Sequence, residues 1–338
     1  MTPLTKETHI PIIESLRGWA ASAVCFYHFI WGTVNYIEAP WVREISYWGQ
    51  YGVTLFFVLS GIVLPLALLK NGYKLRFFTA FLWRRCWRLE PPYFISLLVS
   101  IIYLALQAWW HQETLALSAW NMLLHLGYLI PFFSQEHWLN PVYWSLAVEF
   151  QYYCLLGIIF PLWLSPRLTV RWGSYILILG LSFVSNQKDL LFRWLPLFLI
   201  SANYVLHIHR YVSRLEFITL LGIGVSCLSW NLPLAHSIVV LGTLFLVHFC
   251  TVFNPKWSAW LGRCSYSLYL LHLPIGQTLV NMLSHHYRLP YQKVLVLLLG
   301  YGSSVLAAAF FYHCVEKISQ QKASTIVYGI NDVVREKT

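Results

Sequence analysis

Residues 48–69 read WGQYGVTLFFVLSGIVLPLALL, 22 positions without one Asp, Glu, Lys or Arg. A helix rising ~1.5 Å per residue over that length covers roughly 30 Å, the thickness of a bilayer's hydrocarbon core. A second stretch, Val294 to Cys314, reads VLVLLLGYGSSVLAAAFFYHC and meets the same condition. Across all 338 residues the chain is 58% hydrophobic and only 11% charged, less than half the charge of an ordinary soluble domain. A soluble fold has no way to hide so much apolar surface. The fold class is therefore all-α, a polytopic membrane helix bundle.

Working outward, hydropathy with Pro and Gly punctuation places about ten transmembrane helices near 12–34, 47–69, 91–110, 142–163, 174–186, 190–207, 216–230, 235–252, 264–283 and 294–315. The first is too long for a signal-peptide core and has no small-residue cleavage pattern after it, so it stays in the protein as helix 1. The apolar stretch Leu115 to Phe133 holds His125, Gly127 and Pro131 and suits an interfacial or re-entrant segment better than another span. No internal repeat, low-complexity region or soluble domain is apparent. The seven cysteines lie in or beside apolar segments, with no CxxC pair and no His/Cys cluster at metal-ligand spacing. They read as reduced packing residues, and no metal is expected.

Orientation follows from Lys and Arg in the short loops. With ten spans and the N-terminus inside, 18 basic residues fall on the cytoplasmic side and five, Arg43, Lys188, Arg193, Arg288 and Lys293, fall outside, accounting for all 23. Both termini are then cytoplasmic. The net charge of +10 needs no nucleic acid, since the topology rule and anionic inner-leaflet lipid suffice. The expected divisions are a cytoplasmic N-terminus over 1–11, a transmembrane domain over 12–316 and a cytoplasmic tail over 317–338.

Ionisable groups inside spans are costly and mark function by default. Arg17, His28, Glu149 and His272 stand out. Arg17 and His28 are 11 residues apart, three turns plus about 20° at 100° per residue, so both project from one face, roughly 16 Å apart along the axis. His28 and Glu149 lie at similar depth below the outer surface, and a His and a carboxylate at equal depth are placed to meet. On the fourth span Ser145, Glu149, Tyr152 and Tyr153 form a polar stripe, and on the ninth Ser265, Tyr269, His272 and Gly276 form another. The bland reading of these residues is interhelical hydrogen bonding alone. The run Arg84, Arg85, Arg88 before Pro91 and Pro92 is denser than topology requires. It reads either as a stop signal touching lipid phosphate or as a site for a phosphorylated cytoplasmic ligand, because guanidinium forks bind phosphate oxygens bidentately.

Six segments, in order over residues 10–317, carry a family resemblance. They are IESLRGWAASAVCFYHF, GVTLFFVLSGIVL, RRCWRLEPPYF, YWSLAVEFQYY, LGRCSYSLYLLHLPI and FYHCVEK. The chain resembles the membrane-bound acyltransferase-3 family, which includes O-antigen and exopolysaccharide O-acetyltransferases. It departs from the family pattern at Thr54 and Glu14, where Asp is usual, at Ile318, where Pro is usual, and at Ser201 and Ala202 in an often Gly-containing segment.

The resemblance implies an O-acyltransferase of a bacterial cytoplasmic (inner) membrane. It would move an acyl group, usually acetyl, from acyl-CoA to a hydroxyl of a lipid-linked or surface glycan. Acyl-CoA (acetyl-CoA) is a donor substrate, and no permanently bound cofactor is implied. Arg17, Arg85 and Arg88 would hold the CoA phosphates, and the pantetheine arm would run along the face shared by Arg17 and His28. His28 would act as general base or carry the acyl group, with Glu149 orienting it or stabilising its imidazolium. Ser145, Tyr152, Tyr269 and His272 are candidates to line the substrate site. A proton-coupled transporter or flippase is the alternative that also buries His, Glu and Arg; it would more naturally show repeats and matched broken helices. A structural or sensory membrane protein leaves the arginine run unexplained.

Overall fold

The computed structural model describes residues 10–114 and 117–328. Residues 1–9 and 329–338, with Lys6, Arg335 and Lys337 of the expected cytoplasmic set, lie outside the described residues, as do Leu115 and Ala116 of the Leu115–Phe133 stretch. Among the described residues there are helices and no strands. In chain order they are α1 (Ile12–Trp31), α2 (Pro40–Tyr47), α3 (Gly52–Lys70), α4 (Phe78–His111), α5 (Ala119–Leu126), α6 (Tyr143–Trp163), α7 (Leu168–Leu181) and α8 (Leu195–Ile208). There follow α9 (Arg214–Asn231), α10 (Leu234–Phe249), α11 (Lys256–Arg263), α12 (Ser265–Leu271), α13 (Thr278–Ser284), α14 (Pro290–Phe311) and α15 (Lys317–Thr325). Helix occupies each of the ten predicted segments. Four continuous runs, Pro40–Lys70, Leu75–His111, Tyr143–Trp163 and Pro290–Thr325, are each long and apolar enough to cross a membrane by length and composition. The chain is an all-α membrane helical bundle.

Its buried core is organised around α1. Ile12, Ile13 and Leu16 join a large cluster with α3, α6, α8, α9 and α10. Ala21, Cys25, Phe29 and Ile30 pack with α12, α13 and α14, while Val24 belongs to a third cluster with Tyr93, Tyr143 and Tyr269. Small residues set this central position. A Cβ at Gly262 would fall inside the Glu14 backbone, and one at Gly18 would come within 2.9 Å of the Gly262 nitrogen, so α1 and α11 approach as only glycines allow. Large apolar side chains on the outside, such as Leu98, Ile102 and Leu106 at every fourth position of α4, are exposed, which suits a hydrocarbon solvent.

Two boundaries differ from expectation for physical reasons, and one stretch agrees with it. The third span begins well before Pro91: α4 is one 34-residue helix running through Pro91 and Pro92. Proline removes a donor and crowds the preceding turn, but packed neighbours in a bundle keep such helices continuous. Arg85 and Arg88 therefore sit on a helical face rather than in a loop. In the Leu115–Phe133 stretch, α5 has eight residues, too few to cross. The expected tail begins as α15, which packs on α4, with the Lys322 ammonium 4.0 Å from the Trp87 ring centre.

Candidate active site

Arg17, Arg85, Arg88, Glu149 and Glu316 converge on one cavity, walled on its apolar side by Val53, Phe56, Phe57, Leu59, Val63 and Leu64. Residues 85 and 88 are three apart on α4 and share a face. Arg84 turns away, its Nη1 donating to the Ile326 carbonyl at 3.4 Å and its guanidinium lying over Tyr328. Arg85 is buried between the Phe81 and Tyr153 rings, and its Nε has no hydrogen-bond partner. Arg17 Nε donates to Ser265 Oγ at 3.3 Å.

The two carboxylates do not neutralise these cations directly. Glu149 accepts from Ser60 Oγ at 2.6 Å, and Glu316 accepts from the Ser267 hydroxyl and backbone N–H and from Gln320 Nε2. Buried charge without a matched partner is expensive. A cavity with three arginines so arranged is suited to an anionic ligand, above all one with phosphate oxygens.

Three turns further along α1 lies a second polar centre. The His28 and His272 rings are 5.2 Å apart between centroids. His272 is fully buried and its Nδ1 lies 2.8 Å from the Tyr269 carbonyl and 3.3 Å from that of Leu268. Carbonyls only accept, so Nδ1 carries the proton, and in the neutral ring Nε2 is then the acceptor. That Nε2 is buried without a partner.

His272 also opens a π-helical segment, His272–Gln277, between α12 and α13. Pro274 within it has no N–H for the carbonyl four residues back, Leu270, and that carbonyl instead accepts from Asn140 Nδ2 at 3.2 Å. Such π turns inside α-helices recur at functional sites. Glu316 ends a second one, Tyr312–Glu316.

The predicted site residues thus divide. Arg17, Arg85, Arg88, Ser145, Glu149 and Tyr269 line the cavity, with Ser145 Oγ and Tyr269 Oη 2.7 Å apart. The expected His28–Glu149 contact is not formed: Glu149 is held by Ser60, and His28 faces His272. Equal depth sets height in a bundle but not azimuth. Here α1 packs on α3, α11 and α12, whereas α6 packs on α3, α4 and α7. Tyr152 lies off the cavity lining, stacked on Phe198 at 3.9 Å between centroids with its hydroxyl buried and unpartnered. The neighbouring Tyr153 lines the cavity in its place.

A family model described as an acyltransferase domain matches residues 10–313. The chain belongs to the acyltransferase-3 family. Among curated proteins, the peptidoglycan O-acetyltransferase OatA of Listeria monocytogenes serovar 1/2a is 27% identical over 213 residues, 58% of this chain and 29% of the relative. The chain thus spans less than a third of that protein's length. A putative acetyltransferase, ORF330, of Acidianus two-tailed virus is 24% identical over 299 residues, 81% of this chain and 86% of the relative. No solved structure matches the chain.

Within this acyltransferase-3 chain, sequence reasoning passed over Glu316 and His236. The segment FYHCVEK was noticed, yet Glu316 stands at the end of an apolar run and reads as a boundary residue. Only the fold turns it inward, 2% exposed. Thr54, where the family usually has Asp, is buried and lies 2.7 Å from His236 Nδ1.

Proposed function

We propose that this chain transfers an acyl group, acetyl in the simplest case, from acyl-CoA to a hydroxyl of a lipid-linked or surface carbohydrate. The observation that carries this reading is the convergence of Arg17, Arg85 and Arg88 on one cavity without carboxylate partners in direct contact, in a chain of the acyltransferase-3 family. A CoA thioester offers the phosphates such a cluster would bind, and its pantetheine arm suits the apolar wall formed by Phe56, Phe57 and Leu64. The excess of Lys and Arg on one set of loops supports placing both termini and the arginine end at the cytoplasmic surface, and the His28 end nearer the opposite leaflet. The membrane is then the cytoplasmic membrane of a bacterium, and the glycan is presented from its outer side.

In this mechanism His28 takes the proton of the acceptor hydroxyl as its oxygen bonds to the thioester carbonyl carbon. The C–S bond then breaks, the proton passes to the departing thiolate, and the ester and free CoA leave. Glu149, fixed by Ser60 beside the arginines, acts at the donor end, shaping the field around the CoA phosphates. The test is transfer of labelled acetyl from acetyl-CoA to glycan in proteoliposomes, alongside acetyl-CoA binding in detergent. Ester formation that depends on acetyl-CoA and on Arg85 and Arg88 is expected; glycan movement across the bilayer without ester formation would sink the reading.

A further inference from the structure

We propose that His272 is the positioning residue for His28: its Nε2 lone pair receives the ring N–H of His28, fixing that imidazole's tautomer and stabilising the charge it gains. This rests on the reading of His28 as the base. Four observations converge on it. The two rings are already neighbours, 5.2 Å between centroids and tilted by 43°, so a small rotation of His28 brings a ring N–H into hydrogen-bond range of Nε2. The tautomer of His272 is set from behind, because both acceptors at Nδ1 are backbone carbonyls. Its Nε2 is a buried acceptor with nothing to accept, a cost that native structures rarely carry without a use.

Exposure supplies the fourth. His272 is 0% exposed, whereas His28 is only half-buried, so His28 is the member of the pair able to meet substrate. The backbone beneath His272 is held by the Asn140 bond to Leu270, which gives the acceptor a fixed direction. The other titratable groups in ring contact with the pair are phenols, Tyr27 on His28 and Tyr269 on His272.

The arrangement divides labour as a base and the group behind it do in hydrolases. The acceptor hydroxyl gives its proton to the free nitrogen of His28 while its oxygen attacks the thioester carbon. His28 then returns that proton to the thiolate when the C–S bond breaks. His272 exchanges no proton and keeps its Nδ1–H throughout.

The test uses the full-length protein in proteoliposomes, with acetyl-CoA as donor. His272→Phe fills the space without an acceptor and is expected to lower kcat on the order of 10²-fold, with acetyl-CoA affinity unchanged within about twofold, which also reports that the protein is folded. His272→Gln returns a side-chain carbonyl and should recover about tenfold of that loss. Losing the acceptor destabilises the His28 imidazolium, so the acid limb of the kcat profile should move to lower pH in the Phe variant. In a His28→Ala background, His272→Phe should cost no more than about twofold further, because the two act as a unit. Independent, multiplicative losses, an unmoved acid limb, or a His272→Phe enzyme within about threefold of wild type would each overturn the pairing. If His28→Ala itself retains transfer within about tenfold, it is the base assignment that fails, whatever His272 does.

Discussion

At one end of α1, Arg17 shares a cavity with Arg85, Arg88, Glu149 and Glu316; three turns on, His28 meets another imidazole, His272, pinned by two backbone carbonyls. The first centre is made of full charges whose carboxylates are held by hydroxyls rather than by the arginines. The second is a pair of imidazoles and owes its direction to a π turn, a proline and one asparagine. On the proposed reading, the difference teaches how a helix bundle separates two tasks. Binding an anionic donor calls for cations left available, whereas moving a proton calls for an acceptor lone pair of fixed direction.

Substitutions should separate the two ends cleanly, and the largest effect belongs to the imidazole end. His28→Ala is expected to lower acetyl transfer by at least about 10³-fold while leaving acetyl-CoA affinity within about twofold of wild type. Equal damage to both would show that the two centres are one. Next comes the arginine end: Arg85→Ala with Arg88→Ala should weaken acetyl-CoA binding by about 10- to 100-fold, roughly 1.4–2.7 kcal/mol, read by isothermal titration in detergent. An unaltered affinity there would remove the donor-phosphate role.

Glu149→Gln sharpens the comparison, because it decides which centre owns this carboxylate. Placed with Ser60 and the arginines, it should change KM for acetyl-CoA by about three- to tenfold and leave the pH profile of kcat in place; a moved profile would return Glu149 to His28. The smallest effect is structural. Asn140→Ala leaves the Leu270 carbonyl without its donor and should cost ~1–3 kcal/mol of stability, measured by thermal unfolding in detergent, with acetyl-CoA affinity retained.

Much of this was legible beforehand. Residues 48–69 and 294–314 declare a membrane bundle by length and apolarity alone, and helix lies over every predicted segment. Arg85 and Arg88 were visible because basic residues in a chain this apolar are few, and Arg17 and His28 because 11 residues is nearly a whole number of turns. The start of α4 was misread, since two prolines look like a helix boundary and a packed bundle carries a helix through them. The pairing of His28 with Glu149 was misread because depth was known and azimuth was not.

The sequence by itself therefore determined the class of fold, the scarcity of charge that makes each buried ionisable residue stand out, and the helical period that aligns Arg17 with His28. These follow from local rules, the length needed to cross hydrocarbon and 3.6 residues per turn. Tertiary structure alone decided that His28 faces His272, that Glu316 turns into the arginine cavity, and that Tyr153 rather than Tyr152 lines it. Those outcomes depend on which helices touch α1 and at what rotation. That is settled by glycine contacts such as Gly18 with Gly262 and by two π turns, and neither leaves a periodic mark in the chain.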